Sequence, residues 1–203
     1  ALWSSERDVL APSGIHATEP AACAYRTEDA TPTWSMNVVA NQGYGTPVLE
    51  KTMLRHACTQ DYGVSWCQRS FELPDTLKGA DPTAIFENVG TNYFHVFTIN
   101  ADNNTHLSWY RSVGSPCPNS CMTSVSWARC DVNVGDSVDY PQALYDIPRD
   151  RKYVIYKRAQ ASLGLSRFNS SSWCSGMVHY DCNRHWCDTL PALAQPRAAI
   201  GGD

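Results

Sequence analysis

Between residues 34 and 40, Trp34, Met36, Val38 and Ala40 alternate with Ser35, Asn37 and Val39. This is the two-residue period of a strand with one face on a core and the other in water. The period of a helix is absent there. The strongest local unit is TAIFENVGTNYFHVFTINADNNTHLSWYR, where β-branched and aromatic runs at about 83–89, 92–99 and 105–111 are divided by Val-Gly-Thr and Asn-Ala-Asp-Asn-Asn. Gly and Asn tolerate the backbone angles of tight turns, so the segment predicts a three-stranded meander. Its middle run is apolar on both parities, with Phe94 and Val96 on one and Tyr93, Phe97 and Ile99 on the other. A strand of that kind is expected to be covered on both faces.

Further strands are predicted at 51–57, 64–72, 123–130, 152–157 and 176–181, and short helices at PQALYDI and RAQASLGL. Many short strands separated by Gly, Pro and Asn turns predict a mainly β protein, an antiparallel β-sandwich or barrel with short helices. Residues 1–31 show little periodicity and are expected to form an extended N-terminal arm, 32–190 a single β-rich domain, and 191–203 a flexible C-terminal tail.

Cysteine usage changes the picture from a plain β domain to a cross-linked one. The chain of 203 residues carries nine cysteines, and Asn103-Asn104-Thr105 and Asn169-Ser170-Ser171 both match the glycosylation pattern. Together they predict a secreted, disulfide-stabilised extracellular protein glycosylated at Asn103 and Asn169. The opening ALWSSERDVL, without Met or an apolar core, is expected of a mature product whose leader has been removed. Eight of Cys23, Cys58, Cys67, Cys117, Cys121, Cys130, Cys174, Cys182 and Cys187 are expected in bridges. Spacing favours Cys58 with Cys67, Cys117 or Cys121 with Cys130, and a pair among the last three, leaving Cys23 to reach across the fold or stay free.

Three cysteine loops, CTQDYGVSWC, CMTSVSWARC and CSGMVHYDC, each place a Val and an aromatic near the second cysteine, with starts 63 and 53 residues apart. The unequal spacing favours chance likeness over an internal repeat.

Net charge of −4 gives no basic field for a polyanion, so no nucleic-acid partner is expected. No run of about 18 apolar residues encodes a membrane span. The basic stretch RDRKYVIYKR supplies Arg149, Arg151 and Lys152 as a local patch for an acidic partner, against the simpler reading of a charged, solvated strand edge. Its Lys157-Arg158 pair is of the dibasic kind that secretory proteases cut.

The stretch SSWCSGMVHYDCNRHWC gathers Cys174, His179, Cys182, His185 and Cys187. Zinc sites pair their ligands on separate knuckles, whereas these five interleave, so bridges are expected there and no metal or other cofactor. The signatures of serine hydrolases, zinc proteases and nucleotide-binding loops are missing. The best enzymatic set is His95 and His106 on neighbouring predicted strands, with Glu87 and Arg111: a base, an acid and a cation of the sort that cleaves RNA without a metal. A one-residue slip in register would turn either histidine to the other face. Trp109, Tyr110, Trp127, Trp173 and Trp186 are candidate flat binding faces near loops and bridges.

The expectation from sequence is therefore a binding protein that acts by surface recognition of a host or target-cell protein receptor or a glycan, in the manner of a pathogen effector, toxin or immune-modulating ligand. A small secreted hydrolase, ribonuclease-like or glycan-directed and using His95 and His106, is the alternative; a carbohydrate-binding module is the third.

Overall fold

A computed structural model describes residues 15–26, 34–44, 53–61, 64–68, 79–87, 93–100, 102–113, 126–135, 137–158, 163–169 and 178–181. It is mainly β. Twelve strands run in chain order: β1 Ile15–Arg26, β2 Trp34–Tyr44, β3 Met53–Thr59, β4 Cys67–Gln68, β5 Gly79–Glu87, β6 Tyr93–Asn100, β7 His106–Val113, β8 Ser126–Asn133, β9 Val138–Asp146, β10 Arg151–Arg158, β11 Leu163–Asn169 and β12 Val178–Asp181. They form three four-stranded antiparallel sheets, ordered β1-β2-β3-β4, β5-β6-β7-β8 and β12-β11-β10-β9. Each sheet is thus a plain meander in which every strand pairs with its sequence neighbour, the pairing that short connections favour.

The sheets are three versions of one pattern. Each first strand carries a register irregularity at an X-Pro pair: Glu19-Pro20 in β1, Asp81-Pro82 in β5 and Tyr140-Pro141 in β9. Proline cannot donate to a ladder, so inside a sheet it sits at a bulge. Asp81 and Tyr140 adopt the left-handed region, with φ of 48° and 50°. Each Pro is followed two residues on by alanine, Ala22, Ala84 and Ala143. Cross-strand register carries the match onward. Asn37, His95 and Tyr153 are equivalent on the second strands, because they pair with Cys23, Ile85 and Leu144 three residues after each proline.

The second sheet is the middle layer. Its odd-numbered β6 and β7 residues, Phe97, Ile99, Leu107 and Trp109, pack with Val138, Val154 and Tyr156 of the third sheet. Its even-numbered residues, Phe94, Val96 and Tyr110, pack with Val39 and Leu54 of the first. The doubly apolar β6 is therefore buried on both faces, from Phe94 to Asn100. The first strands lie nearest one another, β1 beside β5 and β5 beside β9. Side chains tie the second pair: the Ala143 N–H donates to Thr83 Oγ1 at 2.9 Å.

Three expectations are corrected. Residues 15–26, placed within the extended arm, form β1. PQALYDI is strand through Asp146, followed by a single 3-10 turn at Ile147–Arg149; of RAQASLGL, Arg158 ends β10 and residues 163–165 open β11, while 159–162 lie outside the described residues. In β2 burial does not follow the simple alternation: Ser35, Asn37, Val39 and Asn41 are buried along with Ala40, while Met36 is 40% exposed. The tail 191–203 lies outside the described residues. So do Cys117, Cys121, Cys174, Cys182 and Cys187. Among the described residues, no group of three or more His, Cys, Asp or Glu is placed to hold a metal, and no helix is long and apolar enough to cross a membrane.

Candidate functional site

The chemistry-bearing side chains converge between the second and third sheets. Glu87 ends β5, His95 and Tyr93 open β6, Arg111 lies opposite His95 on β7, and Lys152 opens β10. Parity puts His95, Trp109 and Arg111 on the face turned to the third sheet, and Lys152 on the face turned back to them.

His95 is 1% exposed and Lys152 0%. His95 Nε2 lies 2.7 Å from Glu87 Oε2, and the Trp109 indole N–H donates to His95 Nδ1 at 2.9 Å. Indole nitrogen can only donate, so Nδ1 is the acceptor and the ring proton sits on Nε2, donated to Glu87. One tautomer is thereby fixed. Glu87 Oε2 also accepts from Lys152 Nζ at 3.0 Å. The ammonium lies 5.2 Å from the centre of the Tyr145 ring, whose hydroxyl donates to Asp150 Oδ1 at 2.9 Å. Arg111 stacks its guanidinium on Tyr93, 4.5 Å from the ring centre.

The electrostatics follow from this wiring. Burial disfavours charge on His95 and, with Lys152 and Arg111 nearby, outweighs the pull of Glu87, bringing the imidazole down to about 4. Burial also opposes ionisation of Glu87, but the hydrogen bonds from His95 and Lys152 and the ammonium charge prevail, holding its carboxyl at about 2. The phenol of Tyr145 is raised by burial first and by its bond to Asp150 second. Near neutral pH the cluster is a neutral imidazole, a carboxylate and an ammonium in one sealed chain. Both ring nitrogens are occupied, so the imidazole can neither take nor give a proton without breaking a buried bond.

His106 is elsewhere. His95 pairs with Arg111, so His106 lies five residues farther along β7, roughly 16 Å away, and with opposite parity. It is half-buried, with Nδ1 3.0 Å from Thr105 Oγ1. The structure brings together Glu87, His95 and Arg111 and leaves out His106. Lys152, Tyr145 and Trp109 complete the cluster in roles the sequence analysis did not assign.

The other candidates fall as follows. Trp109 and Tyr110 are interior, at 3% and 0% exposure, because β7 is covered on both faces. That corrects their reading as surface-presenting rings. Trp127 is half-buried and meets His56 edge-on at 5.7 Å between ring centres. Arg151 is exposed, whereas Lys152 on the opposite parity is interior and no part of a solvated patch. Trp173 and Trp186 lie outside the described residues, and of Arg149 only the backbone turn is described. Asn103 is exposed in the β6–β7 turn, its Oδ1 accepting from the Thr105 N–H at 3.0 Å and hydroxyl at 2.7 Å. Asn169 ends β11. Cys23 is a free thiol, packed at the edge of the Val39 cluster, and burial pushes it up to about 12. That is far from the range of a reactive thiolate.

The arrangement defines a β protein in which a buried, hydrogen-bonded pair, Glu87 and His95, helps join two sheets. No known protein family, curated protein or solved structure matches the chain.

Proposed function

We propose that this is a secreted, disulfide cross-linked binding protein that acts by surface recognition of a protein receptor or glycan on a host or target cell, of effector, toxin or immune-modulating type. The observation that carries the reading is the His95 cluster. The best set of acid, base and cation that the sequence offered for turnover is divided, with His95 and Glu87 buried and bonded to each other and His106 elsewhere on β7, which favours recognition by the exterior. Support for the covalent scaffold comes from Cys58, which stands directly opposite Cys67 across β3 and β4. Bridges confer the resistance to unfolding that an extracellular protein of this size uses. The exposed Asn103 turn suits a glycan.

The test is to screen the protein against cell-surface receptors and glycans and, in parallel, to incubate it with RNA and oligosaccharides. Binding retained by His95→Gln and His106→Ala but lost on Trp173→Ala, Trp186→Ala or Arg151→Ala is the expected result. Breakdown of RNA or glycan that either histidine change abolishes would overturn the proposal. Intact mass with and without reductant counts the bridges directly.

A further inference from the structure

The loop between β3 and β4 carries a polar clasp that neither the sheet cores nor the His95 cluster uses. The Asp61 carboxylate accepts the Thr59 hydroxyl at 2.7 Å on one side and, on the other, the Ser65 N–H at 2.9 Å and the Ser65 hydroxyl. Its backbone carbonyl accepts the Val64 N–H at 3.3 Å. Thr59 follows Cys58 by one place and is buried, whereas Ser65 precedes Cys67 by two and is exposed. The clasp therefore ties the exposed limb of the loop to the limb anchored in the sheet. Its carboxyl is held down to about 2, by the Ser65 hydroxyl first and then by the Ser65 N–H and the Thr59 hydroxyl, so it is ionised near neutral pH.

The ladder beyond the clasp is too short to hold the loop closed. β4 is two residues long, and among the described residues it meets β3 through Ala57 opposite Gln68 and Cys58 opposite Cys67. Two ladder pairs do not keep a strand in place in water by themselves. Residues directly opposite in an antiparallel pair have Cα atoms about 4.5–5.5 Å apart, inside the range that a disulfide spans. With Thr59 and Ser65 tied together, Cys58 and Cys67 are kept near that separation whether or not their sulfurs are bonded. Reduction by a small thiol such as glutathione breaks the bond between the two sulfurs, leaves a thiol on each cysteine and joins two glutathiones through a new S–S bond. The position of that exchange measures the effective concentration of one protein thiol at the other, and holding the loop ends together raises it.

Resting on the reading that the chain is disulfide cross-linked, we propose that Asp61 is a positioning residue for a Cys58–Cys67 bridge, holding both thiols in bonding register so that the loop recloses on itself after reduction. The full chain is equilibrated in glutathione buffers of graded redox ratio, quenched with acid, alkylated and digested with trypsin, which leaves both cysteines in the single peptide 56–69. Asp61→Ala is expected to shift the exchange about tenfold toward the dithiol, or about 30 mV in potential. Asp61→Asn, which keeps one acceptor oxygen, should shift it less. Should Asp61→Ala fail to fold, Ser65→Ala carries the same test and is expected to move the exchange in the same direction. Asp131→Ala removes another exposed carboxylate, bonded to Ser108 and Arg129, and should leave the exchange at the wild-type position. A bridge that forms in the wild type but responds to none of the loop changes, or responds equally to Asp131→Ala, would overturn this inference alone. A wild-type peptide 56–69 that never holds the bridge would also overturn it, and with no other bridge in the intact mass the cross-linked reading would fall as well.

Discussion

The two joints of the molecule use one scaffold for opposite electrostatics. Between the first and second sheets, the His56 imidazole donates from Nε2 to Asn37 Oδ1 at 2.9 Å and lies against Phe94 at 5.4 Å. Between the second and third, Trp109 donates to His95 from the same two positions, since His56 corresponds to Trp109 and Asn37 to His95. The diagonal hydrogen bond is kept while its chemistry is exchanged. What differs is the residue facing it: Phe94 at the first joint and its equivalent Lys152 at the second. An ammonium without water needs a counter-charge, and Glu87 supplies it at the end of β5. One joint is therefore aromatic, the other ionic, and their responses to mutation should separate.

The largest separation is expected from Lys152→Met. It leaves Glu87 buried without its cation, which costs about 3–5 kcal/mol. Thermal unfolding should show the loss, and adding Glu87→Gln should return much of it, because a buried charge pair replaced at both ends is often close to neutral in stability. If the double variant is as unstable as the single, the lysine acts through its packing.

Acid should weaken the ionic joint next. His95 and Glu87 both have folded values below their ordinary ones, so the unfolded chain takes up protons first at each. Their stabilisation is complete above about pH 6.5. It declines as pH falls, through His95 between 6.5 and about 4 and then through Glu87 between 4.5 and about 2. Urea midpoints followed against pH should drop through the first window in the wild type. In His95→Gln, whose amide can accept from Trp109 and donate to Glu87 without titrating, the curve should stay flat there.

A smaller effect is expected at the aromatic joint. Asn37→Ala removes the acceptor for the buried His56 N–H, a loss of about 1–3 kcal/mol. The matching change Trp109→Phe removes the donor to His95 while keeping an apolar ring. Chemical denaturation of the two variants compares the joints at one geometric position. Equal losses at neutral pH would mean that the hydrogen bond, and not the charge beside it, sets the strength of each.

The meander from β5 to β7 was legible in the sequence because its strands are sequence neighbours and its turns carry Gly and Asn. The double burial of β6 was legible because both of its parities are apolar. The stacking of sheets was not, since a face-to-face joint leaves no mark in the period of a single strand. Thus Asn37 reads as the polar side of β2 yet is buried beneath the second sheet, and Lys152 reads as a solvated cation because Glu87 is 65 residues away. The repeat was available in part. Val-Ser-Trp occurs at 64–66 and 125–127, and Pro-x-Ala at 20–22, 82–84 and 141–143. Counting from the cysteines hid it, because Cys130 sits three places beyond Trp127 and Cys67 only one beyond Trp66. For the candidate site, Glu87, His95 and Arg111 were found from the meander alone, but their partner across the joint required the third sheet.

The smallest expected effect decides the most about function. His106 stands apart from the His95 cluster, half-buried at the start of β7 with Thr105 as its neighbour. His106→Ala should change stability by less than about 0.5 kcal/mol, as surface substitutions usually do. Its consequence for activity therefore arrives uncontaminated by unfolding. A binding protein built on the buried cluster loses nothing when His106 goes. A hydrolase that needs two histidines loses its rate by a factor of about 100 or more, in a protein that melts at the same temperature, and no repacking of a joint can imitate that result.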